Sequence, residues 1–295
     1  MIDLHMHTRH SDGTDTLEML LKNAENKKLE IISITDHDSV DAYYELEKNP
    51  ELRKLYSGEI IVGSELKTFW GKVPIEVLAY GVDYKKIKLH KVDAENMQKE
   101  YLEKFKNAAK KLGLKYDESQ TYIDVNNPTK QWASFVIGTE LLKHKENEEI
   151  IKRIGEFTPT TFYRVHQSND ESSFFIDETS LFIDINETIS RIHEAGGLAF
   201  LAHGYIYPFK DKDKTIEEIL ATTEIDGLEC VYTIFSEEER KKAIALCKKY
   251  NKFCSGGTDY HAQNKPDIEL GTGRKNNMKI EKCLIEDWLD KVKRI

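Results

Sequence analysis

Seven short apolar runs recur along the chain, at residues 2–4, 31–35, 60–63, 75–80, 198–202, 227–230 and 253–255. Each has the length of a buried strand. Between most of them lie stretches with apolar residues at helical spacing, at 17–27, 185–194, 237–250 and 280–292. Strand and helix in alternation predict an α/β protein with a parallel sheet or barrel.

The alternation stops between about residues 88 and 181. A long charged helix is predicted over 92–112, followed by helical or irregular segments that include NNPTKQWASFVIGTELLKH and FTPTTFYRVHQSNDESSFF. This stretch reads as an inserted, mainly helical subdomain at 88–181, with the barrel formed by 1–87 and 182–295. The length of 295 residues suits that division, because barrels of this class run to about 250 residues undivided.

Composition narrows the function. Hydrophobic residues make up 39% and charged residues 32%, with a mean hydropathy of -0.57, as in a globular protein with a charged surface. No apolar run approaches the ~18 residues of a membrane span. The chain opens on MIDLHMH without a basic and apolar leader, so a cytoplasmic location and no membrane partner are expected. The net charge of -9 excludes a general nucleic-acid surface, which works by neutralising phosphates with Lys and Arg. An anionic substrate would need local positive charge. Cys230, Cys247, Cys254 and Cys283 show no CxxC spacing and are expected as buried, reduced thiols. The oligomeric state is not legible.

The polar clusters carry the chemistry, and each belongs to a predicted strand. DLHMHTRHSDG brings His5, His7 and Asp12 after the first strand, and TDHD brings His37 after the second. GSE supplies Glu65, PIEVLAY supplies Glu76, AHG supplies His203, and GGTDYH supplies Asp259 and His261. In a parallel barrel such positions share the carboxyl-terminal face. Several carboxylates brought into one cleft repel each other and lose solvation, which divalent cations would offset. His5 and His7 point the same way by the period-two alternation of a strand. Imidazole and carboxylate without thiolate suit Mn, Fe or Zn, with a shared carboxylate suited to two or more ions.

Each motif alone is weak. TDHD fits a loop in which Asp38 and Ser39 cap the following helix, and TDYH fits a polar loop. Placement after successive strands is what argues for a metal site. His90, His144 and His193 lack such placement and read as surface groups, whereas His10 and His166 stay open.

Taken in order, DLHMHTRHSDG, ITDHD, GSE, AHG and GGTDYH resemble the motifs of the polymerase and histidinol phosphatase (PHP) family of metal-dependent phosphoesterases. The resemblance spans residues 1–84 and 183–273. It implies a distorted (β/α)7 barrel with two or three divalent ions, Mn, Fe or Zn. The branch with a helical insertion at this place includes nucleoside 3′,5′-bisphosphate phosphatases and a 5′ to 3′ exoribonuclease.

By this resemblance His5, His7, Glu65 and Asp259 would hold one ion. Glu65 would bridge to a second, held also by His203 and Glu76. A third would lie among Asp12, His37 and His261. Asp3, Asp36 and Asp38 are expected to orient the ligating imidazoles through their other ring nitrogen. Two positions depart from the family pattern. Glu76 stands where a His is usual, which favours harder ions such as Mn or Fe. Gly204 stands where a Pro is usual and is expected to loosen the loop of His203. In the insertion, an Arg-x-His signature that reaches the substrate phosphate is matched by Lys130 and Trp132. Lys130 can pair with phosphate as a point charge and Trp132 can stack on a base. Arg164, in FYRVH, is a second candidate for substrate binding.

The implied activity is hydrolysis of a small phosphorylated substrate, such as a nucleoside 3′,5′-bisphosphate or a short oligonucleotide end, by metal-activated hydroxide. Protonation of the leaving group by His203 or by water stays open. The alternatives are a non-catalytic metal-binding module, and a metal-dependent hydrolase of an amide or lactone.

Overall fold

The computed structural model describes residues 1–127, 129–159 and 161–295. All seven predicted strands form: β1 (Ile2–Met6), β2 (Ile31–Ile34), β3 (Glu59–Trp70), β4 (Val73–Tyr80), β5 (Leu198–Leu201), β6 (Gly227–Tyr232) and β7 (Phe253–Gly257). They make one sheet in sequence order. A bridge between Met6 and Tyr260 then joins β1 to the segment after β7, which nearly closes the barrel.

Helices follow in the order α1 (Leu17–Asn26), α2 (Asp41–Lys48), α3 (Pro50–Arg53), α4 (Ala94–Leu112), α5 (Ala133–Leu142), α6 (Glu148–Ile154), α7 (Ile185–Glu194), α8 (Lys212–Thr222), α9 (Glu237–Tyr250) and α10 (Glu286–Leu289). Local chemistry sets their ends. Thr16, Asp93, Asp184 and Ser236 accept backbone N–H bonds at the starts of α1, α4, α7 and α9, and Ser236 with Glu239 forms a capping box. Gly113, at φ 76°, ends α4. Among the described residues, no helix is long and apolar enough to cross a membrane.

Two expectations need correction. β4 pairs antiparallel with both β3 and β5, not parallel. Only Gly71 and Lys72 separate β3 from β4, too little chain for a crossover helix, so the strand returns as a hairpin with Gly71 at φ 60°. The reversal brings the early part of β4 to the end of the barrel where its neighbours terminate, and Glu76 pairs in register with Lys67. The helix expected over 280–292 is also broken, into a 3₁₀ turn at Lys282–Ile285 and the short α10. Here tertiary packing overrides helical spacing: Trp288 is fully buried, its Nε1 donates to Cys254 O at 2.8 Å, and it stacks on Tyr80.

Three apolar clusters result. The largest packs α1, α2, α7, α8 and α9 against the strands. A second fills one end of the barrel with Ile2, Leu4, Ile31, Tyr80 and Phe200 under the C-terminal Ile285, Trp288 and Leu289. A third is drawn wholly from residues between Tyr101 and Ile176, with a ring cluster of Phe105, Phe157, Phe162 and Phe174. With one barrel end plugged by apolar groups, the other is left for polar ones.

Candidate metal centre

The strand ends deliver the predicted polar side chains to one cluster, buried at His5, His7, Glu65, His203, Asp259 and His261 and half-buried at Asp12, His37 and Glu76. His5, on β1, and His7, just after it, are fully buried, with ring centroids 5.2 Å apart. Their seat depends on Gly257, where a Cβ would lie 2.2 Å from His5 Cβ. Two residues at the site adopt the left-handed backbone that non-glycine residues rarely use: His203 at φ 28° and Asp259 at φ 58°. Such strain persists where the surrounding structure over-determines it.

Glu65 is the hub. Its Oε2 lies 3.1 Å from His5 Nε2, 3.3 Å from His7 Nε2 and 3.3 Å from His37 Nδ1. Its Oε1 lies 2.9 Å from His203 Nε2, which is 3.4 Å from Glu76 Oε2. On the other flank, Asp12 Oδ1 is 3.0 Å from His261 Nε2 and 3.7 Å from both His7 Nδ1 and His37 Nε2. Donor atoms of His5, His7, Glu65 and Asp259 all fall within 4.8 Å of one another. The same holds for His7, Asp12, His37 and His261, and for His37, Glu65 and Glu76.

The donor set fits divalent ions. Among the described residues, the buried His7 Nε2, Asp12 Oδ1 and His203 Nδ1 have no hydrogen-bond partner, yet the first two face other polar atoms of the cluster. Charge tells the same story. Burial alone would push the His5 imidazole down, but Glu65, Glu229 and Asp259 hold it well above its usual range. His7 is raised to about 9 against its burial by Asp259, Glu65 and Asp12. Glu65 and Asp259 are held well below the usual carboxylate range despite burial, Glu65 by the imidazoles and Asp259 by Lys265 and the imidazoles. The carboxylates call for positive charge, which a metal ion can supply.

The groups that hold the candidate ligands in place are mostly not those expected. Asp3 accepts from Thr258 N, Thr258 Oγ1 and Gly271 N, and so binds β1 to the loops after β7. Asp36 accepts from Thr8 N, Thr8 Oγ1 and Ser11 Oγ, which fixes the β1 loop. Asp38 accepts from Lys67 N and does not cap a helix; α2 starts at Val40 without a side-chain cap. None of the three hydrogen-bonds the ring of a candidate ligand. That role falls to Glu229, whose Oε1 is 2.9 Å from His5 Nδ1 while Oε2 accepts from His203 N at 2.8 Å. Its signal was present in the sequence as a lone carboxylate inside the apolar strand GLECVY. Asp259 is similarly divided: Oδ2 accepts from Tyr232 OH at 2.7 Å and Lys265 Nζ at 2.6 Å, leaving Oδ1 toward His7 and His261.

Of the two substrate-binding candidates, the structure does not bring Lys130 to the cluster. Its Nζ bonds Gln120 O and lies 4.7 Å over the Tyr122 ring, contacts made within its own stretch of chain. Arg164 is different. It lies on a π-helical turn, Tyr163–Gln167, a form that recurs at functional sites. The ionisable groups acting on its guanidinium are Tyr232, Asp259, Glu76 and Tyr207, which hold it above its ordinary value despite burial. Among the described residues it has no hydrogen bond or ion pair. Trp132 is 41% exposed, at the start of α5. His166 is a buried structural group, and His10 pairs with Glu45 at 2.6 Å. Gly204 is buried in a short turn that keeps the buried His203 in place. Cys283 is exposed, against expectation, whereas the other three thiols converge where α9 packs on β6 and β7.

Comparison with known proteins agrees with this architecture. The PHP domain model matches residues 3–231. The chain is 23% identical over 270 residues to the 5′-3′ exoribonuclease Rnm of Escherichia coli, covering 91% of this chain and 87% of that protein. It is 21% identical over 279 residues to a 3′,5′-nucleoside bisphosphate phosphatase of Chromobacterium violaceum, covering 92% and 90%. It is 22% identical over 264 residues to a phosphoribosyl 1,2-cyclic phosphate 1,2-diphosphodiesterase of Eggerthella lenta, covering 88% and 94%. A solved structure from Bifidobacterium adolescentis, assigned as a metal-dependent phosphoesterase, superposes with a TM-score of 0.63 at 20% identity over 99% of this chain and 96% of that one. With a family model spanning most of its length, a barrel of seven strands and the motifs gathered at one end, the chain belongs to the PHP family.

Proposed function

We propose that this PHP protein is a metal-dependent phosphoesterase that hydrolyses a small nucleotide, a nucleoside 3′,5′-bisphosphate or the end of a short oligonucleotide. The observation that carries this reading is the hub carboxylate Glu65, faced by His5, His7, His37 and His203. His5, His7, Glu65 and Asp259 would hold one ion; Glu65, Glu76 and His203 a second; Asp12, His37 and His261, joined by His7, a third. Glu76 adds a carboxylate where an imidazole would be neutral, which favours Mn or Fe over Zn. Such ions supply a water nucleophile at neutral pH and positive charge for the phosphate oxygens.

The chain's own groups do the rest. Glu229 fixes the ring of His5, and Tyr232 with Lys265 fixes the rotamer of Asp259. Arg164 offers a planar fork of donors that matches a phosphate, and so supplies the local positive charge that a chain of net charge -9 needs.

The test is a hydrolysis panel on Mn-loaded protein: adenosine 3′,5′-bisphosphate, short 5′-phosphorylated RNA, histidinol phosphate, p-nitrophenyl phosphate and a lactone. Phosphate release from the bisphosphate, or stepwise shortening of the RNA, abolished by chelator, is the expected result. Turnover of the lactone alone, or of nothing, would overturn the reading.

A further inference from the structure

Outside the metal centre, the structure gathers a second set of ligand atoms that the phosphoesterase chemistry does not use. Cys230 on β6, Cys247 on α9 and Cys254 on β7 come from three elements, and their sulfurs all lie within 4.8 Å of one another. Cys230 Sγ and Cys247 Sγ are 3.5 Å apart. Cys230 and Cys247 are buried, while Cys254 is half-buried and gives the trio a way in. No His or carboxylate joins them among the described residues, so the set is three-coordinate and made of sulfur alone. Bonds of about 2.3 Å to one ion space three sulfurs about 3.3 Å apart in a pyramidal arrangement and about 4 Å apart in a planar one, which matches the trio.

Charge decides which ion suits it. Three thiolates around a divalent ion leave one negative charge in a buried site. The charged group that acts on Cys254 from outside the trio is Asp287, itself a carboxylate, so that excess has no compensation. A trivalent ion leaves no net charge. We propose that Cys230, Cys247 and Cys254 form a binding site for a trivalent thiol-seeking ion, of which arsenic(III) is the probe. Arsenous acid would exchange its three hydroxyls for the three sulfurs. Three As–O bonds break and three As–S bonds form, each thiol proton leaves in a water molecule, and nothing is oxidised or reduced. Cys254, the half-buried thiol of the trio, would react first.

Intact mass spectrometry under native conditions tests this on the full chain, reduced with a phosphine that is then removed. One arsenic per chain with three protons lost is the expected adduct. Cys254→Ser and Cys254→Ala should weaken it at least 10-fold, while Cys283→Ser, at the exposed thiol, should leave it unchanged. A cadmium(II) titration, read by the ultraviolet thiolate charge-transfer band that the His and carboxylate cluster cannot produce, should show weaker binding than arsenic. Absence of the adduct, loss of fewer than three protons, tighter binding of cadmium, or an adduct abolished by Cys283→Ser would each overturn the proposal.

Discussion

Glu229 Oε1 lies 2.9 Å from His5 Nδ1, and Glu65 Oε2 lies 3.1 Å from the same ring's Nε2, so the imidazole is held between two buried carboxylates. The carboxylate behind the ring sets its tautomer and raises its basicity toward whatever the front nitrogen binds. Glu229→Gln keeps the shape and removes the charge. It should weaken Mn affinity about 10- to 100-fold, read by competition with a chelator, with the fold intact by circular dichroism. An unchanged affinity would remove Glu229 from the metal centre.

The cluster itself predicts metal content. Protein purified from Mn-supplemented medium should carry at least two ions per chain by elemental analysis, and chelation should abolish hydrolysis. His5→Ala and Asp259→Asn should each reduce metal-dependent turnover to background. His193→Ala, on α7 and paired with the outlying Asp226, should leave turnover nearly intact. Comparable activity in all three variants would dismantle the ligand assignment.

Much of this was legible from local signals. Seven apolar runs became seven strands, because a buried strand needs only a short apolar segment, and the His-x-His and TDYH motifs lie at strand ends that the barrel brings together. What failed depends on contacts between distant segments. The reversal of β4 follows from a two-residue connection that the alternation of elements masks. Glu229 stands out as a lone carboxylate in an apolar strand, but its role shows only where His5 arrives from the other end of the chain. Lys130 matched a motif position, but no sequence pattern reveals that Gln120 and Tyr122 occupy its charge. Arg164 owes its place to a π-helical turn that periodicity does not encode.

A buried ion pair ties β3 to the segment before α7. Lys67 Nζ on β3 lies 2.9 Å from Glu178 Oε2 and 4.6 Å over the Phe182 ring, and Glu178 also accepts from Gln167, at the end of the turn that carries Arg164. Glu178→Ala strands the lysine. The cost should be about 3 kcal/mol, the lower end for a broken buried pair because the Lys67 side chain is 19% exposed. Lys67→Met in the same background should recover part of it. Thermal unfolding reads both, and a double variant no more stable than Glu178→Ala would contradict the pairing.

Acid should loosen the insertion through His166. Its Nδ1 is 2.9 Å from Ser172 Oγ and its Nε2 3.3 Å from Gly155 O, among the rings of Phe157, Phe162 and Phe174. Burial lowers its pKa below the usual 6.5. The unfolded chain therefore takes up a proton near pH 6.5 that the folded one refuses until lower pH. Stability from this group is full above 6.5 and falls as pH drops below it. The difference in unfolding midpoint between the protein and His166→Gln should shrink from about pH 7.5 to about pH 5.5. A difference independent of pH would show that His166 does not titrate in this way.

The last prediction separates Arg164 from Lys130. If the metals take the scissile phosphate, a second phosphate needs its own partner, and Arg164, with no hydrogen bond or ion pair among the described residues, is a cation that Tyr232, Asp259, Glu76 and Tyr207 hold in its charged form. A bidentate guanidinium pair in a partly desolvated cleft is worth more than an exposed lysine contact. Arg164→Ala should lower kcat/KM on adenosine 3′,5′-bisphosphate about 10-fold or more, equivalent to about 1.4 kcal/mol. Arg164→Lys should recover little, since a point charge lacks the fork. Hydrolysis of p-nitrophenyl phosphate, which has no second phosphate, should change less than the bisphosphate reaction in both variants. Lys130→Ala should leave both substrates nearly unaffected, because Lys130 already serves Gln120 and Tyr122. Equal losses on both substrates in Arg164→Ala would place the guanidinium on the scissile phosphate instead, and a loss confined to Lys130→Ala would return the second-phosphate role to the start of α5.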